Sequence, residues 1–305
     1  MVTLRVGARG SRLSRAQTEL VAEMLSSRVP GLDLEIVPIK TRGDRVPPES
    51  RGVDGKTAFT GEIEDQLLSG RIDAAVHSMK DLPVQMRDGL MIAATPPRGD
   101  PRDALISAGG VDFWRLRPGA TIGTSSLRRR AQLLALRADL SVTDLHGNVE
   151  TRIRKMRELG LDAVVLAAAG LERISESARV TRLFPLEEVV PAAGQGTLAV
   201  QVRKGDAETE RIVGSIDDAS ARLESACERA FTKSVGGDCF VPVGACARVA
   251  AHYLTISGII ASPDGREVIR RSLTAPSGDA ESLGKRLGEE MLGDGGETIL
   301  RGLRP

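Results

Sequence analysis

The stretch that most constrains the fold is a short apolar run that ends in polar residues and then a proline. Residues 72–76 have the composition of a strand buried on both faces, as in parallel sheets. The polar segment His77-Ser-Met-Lys-Asp81 follows at once, and Pro83 stops the segment from continuing as a helix or a ladder. Its Lys-Asp pair could be an ordinary ion pair. Ligands bind at the carboxyl edge of open α/β sheets, however, so this edge is a candidate site.

The composition limits the kind of protein. A chain of 305 residues exceeds what one hydrophobic core usually serves, so we expect two or three domains. The net charge of +1 indicates that any basic site is local. Aromatic residues make up 2% of the chain, too few for a base-stacking surface. We therefore expect no nucleic-acid partner.

Three further features concern cell compartment and metals. No run of about 18 apolar residues occurs and no charged leader precedes an apolar stretch, so we expect a cytoplasmic protein without a membrane partner. The three cysteines (Cys227, Cys239 and Cys246) match neither a disulfide framework nor a zinc pattern, and the three histidines are far apart in sequence, so we expect no metal site. Cys239 lies in a glycine-rich loop, where it is either a buried small hydrophobe or an accessible nucleophile or attachment point.

Alternating strands and helices are predicted along most of the chain, which is typical of α/β domains. In the first part the predicted strands are 4–7, 34–38, 72–76 and 90–94, with helices at 14–27 and 61–70. In the second part the predicted strands are 104–107, 121–123, 140–145 and 163–167, with helices near 126–137 and 148–159. We expect the second sheet to be mainly parallel. Residues 41–57, with Lys56 near the end, have no hydrophobic period and predict a long loop that is either a lid or solvated surface.

Two segments rich in glycine and proline, near residues 97 and 194, resemble crossings between domains. A chain that crosses twice returns to its first domain, which predicts two lobes that close on a ligand by hinge motion. After residue 217 the pattern changes to a helix at 219–234, strands over 247–261 and 268–273, and a last helix at 279–292. We predict an α/β lobe of residues 1–96 and 197–216, a second α/β lobe of residues 99–193, and a small α+β domain of residues 217–305.

The strongest anion-binding signal lies in the second lobe. Gly123-Thr-Ser-Ser-Leu-Arg-Arg-Arg130 follows a strand and opens a helix, so backbone N–H groups, hydroxyls and guanidiniums converge at one helix start. His146-Gly-Asn-Val-Glu-Thr-Arg152 repeats the arrangement one βα unit later, and Arg173 follows a third strand. Arginines on one helix usually form a solvated face. Their recurrence at successive βα junctions favours a ligand with several carboxylates or phosphates.

Together these motifs make the chain resemble the porphobilinogen deaminase family, whose members are also called hydroxymethylbilane synthases. The matching motifs occur in the family's order and span essentially the whole chain. The segments that carry the resemblance are Arg9-Gly-Ser11, His77 to Pro83, Asp100-Pro-Arg-Asp103, Gly123 to Arg129, Gly147 to Arg152, Gly194-Gln-Gly196 and the loop around Cys239.

The resemblance implies two lobes similar to periplasmic binding proteins, a third domain, and a dipyrromethane cofactor joined to Cys239 by a thioether. It also implies a transferase of tetrapyrrole and heme biosynthesis that acts as a monomer. Four porphobilinogens would be joined head to tail with loss of ammonia, and hydroxymethylbilane freed by hydrolysis. Each pyrrole carries an acetate and a propionate, so the growing chain is polyanionic and requires clustered arginines.

The resemblance also assigns residues. Asp81 would be the catalytic carboxylate, facing the pyrrole nitrogens and stabilising the azafulvene cation that loss of ammonia leaves. Lys80 would contact cofactor carboxylates and help keep Asp81 ionised. The other residues implied to bind cofactor or substrate are Arg9, Ser11, Lys56, Ser78, Thr124, Ser125, Ser126, Arg128, Arg129, His146, Gly147, Arg152, Arg173 and Gln195.

Three positions depart from the family pattern. His146 stands where the family usually has arginine, and Gly61 replaces a common lysine. Asp238 stands where glycine normally precedes the anchoring cysteine, and a carboxylate there should disfavour the thiolate and slow attachment. The competing hypothesis is a two-lobed protein that binds a solute or senses an effector without catalysis. It leaves the third domain and Cys239 unexplained.

Overall fold

The computed structural model describes residues 3–41, 57–236 and 241–303. The chain divides into two compact units, Met1–Gly99 with Thr197–Arg222 and Asp100–Gly196 with Leu223–Pro305. Most of the predicted loop at 41–57 falls outside the described residues. The same is true of Lys56, Asp238 and Cys239.

The first unit contains a five-stranded sheet. Its strands, numbered along the chain, are β2 (Asp33–Ile39), β1 (Thr3–Arg9), β3 (Ala74–Ser78), β10 (Leu198–Arg203) and β4 (Leu90–Ala94), in that spatial order. Its helices are α1 (Arg12–Arg28), α2 (Thr57–Leu68) and α6 (Ala207–Gly214). The strand β3 is parallel to β1 but antiparallel to β10, because the chain returns to this unit and inserts β10 in the opposite direction. The composition of β3 is typical of parallel sheets, but only one of its two neighbours, β1, is parallel to it.

The second unit contains another five-stranded sheet. Its strands are β7 (Ser141–Thr143), β6 (Thr121–Gly123), β8 (Ala163–Ala167), β5 (Asp103–Ser107) and β9 (Arg182–Leu183), in that order. Its helices are α3 (Leu127–Leu136), α4 (Val149–Glu158) and α5 (Ala168–Arg173). The prediction of a mainly parallel sheet is wrong, since β6 is parallel to β7 and β8 but β5 is antiparallel to both of its neighbours. A buried apolar run such as β5 has the same composition in either direction.

A three-stranded antiparallel sheet follows in the C-terminal part of the second unit. Its strands are β11 (Val243–Ala250), β12 (Tyr253–Ala261) and β13 (Val268–Pro276), and the helices there are α7 (Ala219–Ser234), α8 (Ala280–Met291) and α9 (Glu297–Arg301). The strand region predicted at 247–261 is a hairpin that begins earlier and turns at Ala251, whose φ is 52°. Phe231 and Leu287 are fully buried in the core between these helices and the sheet.

These elements match the predicted class of two α/β lobes followed by a small α+β region, which is confirmed. Most predicted helices and strands lie within a few residues of the observed ones, and α7 has the predicted bounds, Ala219–Ser234. Across the described ranges, no helix is long and apolar enough to cross a membrane.

Candidate active site

In the first unit, Arg9 and Ser11 lie where β1 leads into α1. Ser11 caps the helix, and its Oγ accepts a hydrogen bond from the backbone N–H of Ser14 at 3.2 Å. The Ser14 hydroxyl accepts a hydrogen bond from the backbone N–H of Arg9 at 3.1 Å, which ties the end of the strand to the first helical turn. The N-terminus of a helix carries partial positive charge and the Arg9 guanidinium adds to it. This corner therefore suits a carboxylate.

Ser78 and Asp81 lie at the carboxyl end of β3, the central strand of the first sheet. The Ser78 Oγ accepts a hydrogen bond from Nε2 of Gln17 in α1 at 2.9 Å. A short 3₁₀ turn follows, in which the Met79 side chain is buried and the Asp81 side chain is exposed. The backbone N–H of Met79 donates to the carbonyl oxygen of Thr197 at 2.9 Å. Met79 therefore anchors the turn to the protein, while the Asp81 carboxylate faces solvent.

His77 lies between these two groups of residues. Burial lowers the pKa of His77 to about 4, Arg9 adds to this decrease, and Gln201 and Asp81 oppose it. His77 is therefore neutral at neutral pH, and Arg9 and Asp81 are both near enough to influence its charge. Lys80 is partly buried in the turn beside Asp81. The structure thus places Lys80 and Asp81 at the end of the central strand, as the sequence predicts, and Arg9 at the end of the neighbouring strand β1.

In the second unit, three hydroxyl side chains lie between β6 and α3. The Ser126 Oγ caps α3 and accepts from the N–H of Arg129 at 3.4 Å, and the Thr124 Oγ1 accepts from the N–H of Ser126 at 3.2 Å. The Ser125 Oγ accepts from the N–H of Leu145 at 3.0 Å. Each hydroxyl is an acceptor in these bonds, so its own hydrogen remains to be donated. With the helix N-terminus they form a set of donors suited to an anion.

Arg128 and Arg129 point to a buried carboxylate, Asp103 in β5. Nη1 of Arg128 donates to Oδ2 of Asp103 at 2.7 Å, and Nε and Nη2 of Arg129 donate to Oδ1 at 2.9 and 2.8 Å. The same Nη1 of Arg128 donates to the carbonyl oxygen of Val190 at 2.7 Å, and Nη1 of Arg129 to that of Val165 at 2.9 Å. Both arginines are only 5% exposed, so the chain itself takes up much of their donor capacity.

The Asp103 carboxyl is fully buried. Burial alone would raise its pKa, but Arg128 and Arg129 hold the pKa of Asp103 well below its ordinary value. The Nε2 of Gln195 also donates to Oδ1 of Asp103, at 3.0 Å. Two guanidiniums and one carboxylate leave the cluster with a net positive charge. The assignment of Arg128, Arg129 and Gln195 to cofactor or substrate stays a prediction.

The sequence analysis did not identify Asp103 as the partner of both arginines. The signal was present, since Asp103 ends one of the motifs that carry the family resemblance. The motif alone does not indicate which side chains form ion pairs with the Asp103 carboxylate.

His146, Gly147 and Arg152 surround the start of α4. Asn148 caps this helix, its Oδ1 accepting from the N–H of Thr151 at 2.8 Å. Gly147 has a φ of 128°, and a Cβ there would lie 2.7 Å from the Thr151 side chain, so the position requires glycine. The His146 side chain is exposed and Arg152 is partly buried. The helix start therefore has the shape expected of an anion site, with an imidazole and a guanidinium beside it.

Arg173 is the last residue of α5. Its Nη2 donates to the carbonyl oxygen of Gly196 at 2.6 Å. Burial lowers the pKa of Arg173 to about 10, so the guanidinium is still charged at neutral pH. The segment that leads into β10 is therefore held in two ways, by the bond from Arg173 to Gly196 and by the bond from Gln195 to Asp103.

Two predicted site residues, Lys56 and Cys239, lie outside the described residues. Of the described cysteines, Cys227 and Cys246 are both buried, and burial raises the pKa of Cys227 to about 12. Within the described ranges no group of three or more His, Cys, Asp or Glu side chains is arranged to hold a metal ion.

Each unit has a mixed sheet with cations and hydroxyls near its strand ends, and the first unit also has the exposed Asp81 carboxylate there. These features define an α/β protein with candidate sites for an anionic ligand. Two family models match the chain. The model described as "Porphobilinogen deaminase, dipyromethane cofactor binding domain" matches residues 4–211, and "Porphobilinogen deaminase, C-terminal domain" matches residues 222–293. The chain belongs to the porphobilinogen deaminase family.

Relatives named porphobilinogen deaminase match almost the whole chain. The one from Syntrophotalea carbinolica is 45% identical over 302 residues, which cover 98% of this chain and 96% of the relative. The one from Roseiflexus sp. (strain RS-1) is 44% identical over 98% of this chain and 99% of the relative. The resemblance seen in the sequence motifs is confirmed.

Solved structures give weaker matches. The methionine-binding protein MetQ has a TM-score of 0.44 and 14% identity, covering 70% of this chain and 89% of its own. A YaeC-family lipoprotein from Enterococcus faecalis V583 has a TM-score of 0.43 and 16% identity, covering 72% of this chain and 93% of its own. At these TM-scores the likeness carries no argument.

The residues present fit the dipyrromethane that the family model names. Two linked pyrroles with acetate and propionate groups require cations and hydrogen-bond donors for the carboxylates, and one acceptor for the ring N–H groups. The first unit has such donors at the start of α1, and the second unit, taken by itself, has them at the starts of α3 and α4. The exposed carboxylate of Asp81 supplies the acceptor.

Proposed function

We propose that this chain is a porphobilinogen deaminase. Four porphobilinogen molecules are joined head to tail on a covalently held dipyrromethane, and one ammonia leaves at each addition. Water then frees hydroxymethylbilane, so that four porphobilinogens and one water give one hydroxymethylbilane and four ammonia. The observation that carries the proposal is the exposed Asp81 carboxylate at the end of the central strand, beside Arg9 and a neutral His77, in a chain of this family.

Asp81 is proposed as the catalytic residue. When the amino group on the aminomethyl side chain of porphobilinogen leaves as ammonia, the methylene carbon stays on the ring and positive charge develops on the methylene and the pyrrole. A fixed carboxylate that accepts a hydrogen bond from the ring N–H stabilises this charge as it forms. The same carboxylate can accept a proton from the pyrrole or return one to it. The turn that carries Asp81 is anchored by the buried Met79. The anchored turn therefore limits the movement of the backbone that carries the carboxylate.

The basic and hydroxyl side chains are proposed to bind the acetate and propionate groups. In the first unit this role falls to Arg9, Ser11, Ser78 and Lys80. In the second unit it falls to Thr124, Ser125, Ser126, Arg128, Arg129, His146, Gly147, Arg152, Arg173 and Gln195, with Lys56 as a further ligand. Several donors are needed because each added pyrrole brings two more carboxylates. Arg128 and Arg129 are mostly engaged by Asp103, so we expect them to act chiefly through the positive field of their cluster.

The dipyrromethane, when bound, would supply the nucleophilic pyrrole carbon to which the first porphobilinogen is joined, and its covalent bond would hold the growing chain at the site between additions. Cys239 is proposed as the anchor. The alternatives among the described cysteines are unfavourable, since Cys227 and Cys246 are 0% and 3% exposed. A buried thiol is a poor nucleophile.

We further propose that the protein acts as a cytoplasmic monomer, with porphobilinogen as its small-molecule substrate and with no nucleic-acid or membrane partner. The proposed domains are residues 1–96 with 197–216, residues 99–193 and residues 217–305. The near-neutral charge and scarce aromatic residues support the absence of a nucleic-acid partner. Light scattering after gel filtration tests the oligomeric state.

The test combines intact-mass spectrometry with an activity assay. The denatured protein is weighed beside Cys239→Ser and Cys246→Ser, and ammonia and hydroxymethylbilane are measured after addition of porphobilinogen. We expect an added mass of two linked pyrroles that only Cys239→Ser abolishes, and four ammonia per hydroxymethylbilane. A protein that binds porphobilinogen without loading the cofactor or releasing ammonia would instead be a binding protein.

A further inference from the structure

Three buried polar side chains lie close to one face of the first sheet, on the strand that leads to Asp81 and on the elements next to it. Glu64 comes from α2, Gln201 from β10 and His77 from β3, and they are 5%, 0% and 7% exposed. Gln201 is paired with Ala75 in the ladder, two residues before His77, so the Gln201 and His77 side chains are on the same face. Buried polar groups of this kind require partners, which makes their arrangement informative.

Glu64 orients the Gln201 carboxamide. Nε2 of Gln201 donates a hydrogen bond to Oε1 of Glu64 at 3.0 Å. Because the carboxylate accepts and the amide nitrogen donates, Oε1 of Gln201 faces away from Glu64. An amide oxygen can only accept, so the group beside it has to supply a hydrogen.

His77 is that group. Nε2 of His77 and Oε1 of Gln201 are both buried, and neither has a hydrogen-bond partner of good geometry within the part of the chain that the structure describes. Burial lowers the pKa of His77, and Gln201 opposes this decrease, as an acceptor of its N–H does. The proton of the neutral ring therefore belongs on Nε2, with Nδ1 unprotonated.

The charged groups that face His77 are Arg9 from β1 and Asp81 from the turn after β3. A protonated His77 would place a positive charge near the Asp81 carboxylate and weaken its negative field. A neutral ring adds no charge, so Asp81 keeps its full negative charge for a cation that forms on the substrate. The form of His77 therefore matters to Asp81 without any contact between His77 and the substrate.

We propose that Glu64, Gln201 and His77 form a positioning triad. The Glu64 carboxylate orients the Gln201 amide, and the amide oxygen holds His77 in its neutral Nε2–H form beside Asp81. Only the consequence for Asp81 rests on the proposed function, because the form of His77 follows from the contacts themselves. Glu64 and Gln201 are positioning residues that act through His77.

NMR of the intact protein labelled with ¹⁵N-histidine tests the triad directly. The chain contains three histidines, so His146→Gln and His252→Gln variants assign the signals of His77. We expect Nε2 to be the protonated ring nitrogen and Nδ1 the unprotonated one, with no titration of His77 between about pH 6 and 8. A proton on Nδ1, or a titration within that range, would overturn the proposal.

Glu64→Gln is the decisive variant. It keeps the size of the side chain but allows the Gln201 amide to turn round, because a carboxamide at position 64 both donates and accepts. We expect a mixture of the two ring forms of His77, and a kcat about tenfold lower with an unchanged KM. The control is Asp65→Asn, which alters the next, exposed residue of α2 and should change neither measurement.

Gln201→Met is a second variant in case Glu64→Gln does not fold, as judged by circular dichroism, and it should also mix the ring forms. If either folded variant behaves like Asp65→Asn in both measurements, the triad is refuted. If the wild-type protein makes no hydroxymethylbilane while the ring forms respond as expected, the triad is supported and the proposed function alone fails.

Discussion

Replacing Asp103 by asparagine should destabilise the second unit more than any single change on its surface. The Asp103 carboxylate accepts hydrogen bonds from Arg128, Arg129 and Gln195, and the two arginines are 5% exposed. Asparagine would direct an N–H₂ group at a guanidinium and leave two positive charges buried without a counter-charge. Removing one partner of a buried ion pair costs about 3 to 5 kcal/mol, so we expect a loss of that size in the free energy of unfolding.

Asp100→Asn is the matched control. Asp100 lies three residues earlier and also pairs with an arginine, Arg102 at 2.6 Å, but these side chains are 26% and 40% exposed. Water screens such a pair, so its loss should cost about 1 kcal/mol or less. Urea unfolding followed by tryptophan fluorescence suits the comparison, because Trp114 is the only tryptophan of the chain and lies in the second unit.

The effect of Asp103→Asn should also depend on pH. The pKa of Asp103 is lower in the folded protein than in the unfolded chain, so its contribution to stability is complete above the unfolded value of about 4. It is lost as the pH falls towards the folded value, and the difference between wild type and variant should shrink there. Equal losses for the two asparagine variants, or a difference that stays constant from pH 7 to pH 3, would refute the reasoning.

Three further changes test other parts of the site and fold. Asp81→Asn should lower kcat by about a hundredfold or more while the fold and the loaded cofactor persist, and near-normal turnover would remove Asp81 from the mechanism. Arg173→Ala removes a partly buried cation, and we expect about 10- to 100-fold weaker use of porphobilinogen in steady-state kinetics. Glu228→Gln should cost about 1 to 3 kcal/mol in thermal unfolding, because Glu228 accepts from the N–H groups of Gly194 and Ala247 on separate oxygens and an amide accepts on only one. Wild-type stability of Glu228→Gln would contradict this account.

Local sequence was enough to predict most elements and the residues at the strand ends. The period of apolar residues places β3 and α7 to within two residues of their observed bounds. The groups at the end of β3, Lys80 and Asp81, were predicted because ligand-binding residues of α/β sheets lie at the carboxyl ends of strands. The direction of β5 and β10 was not predicted, because a buried apolar strand has the same composition whichever way it runs.

Short motifs and periodic patterns in the sequence encode the family, the elements and the candidate residues. Which of those residues have partners inside the protein depends on the three-dimensional fold. Asp103 meets Arg128 across 25 residues of chain, and Glu64 meets Gln201 across 137. Such pairs depend on which strands and helices become neighbours. Which elements become neighbours depends on the burial and packing of the whole chain, and a local sequence pattern contains no information about this.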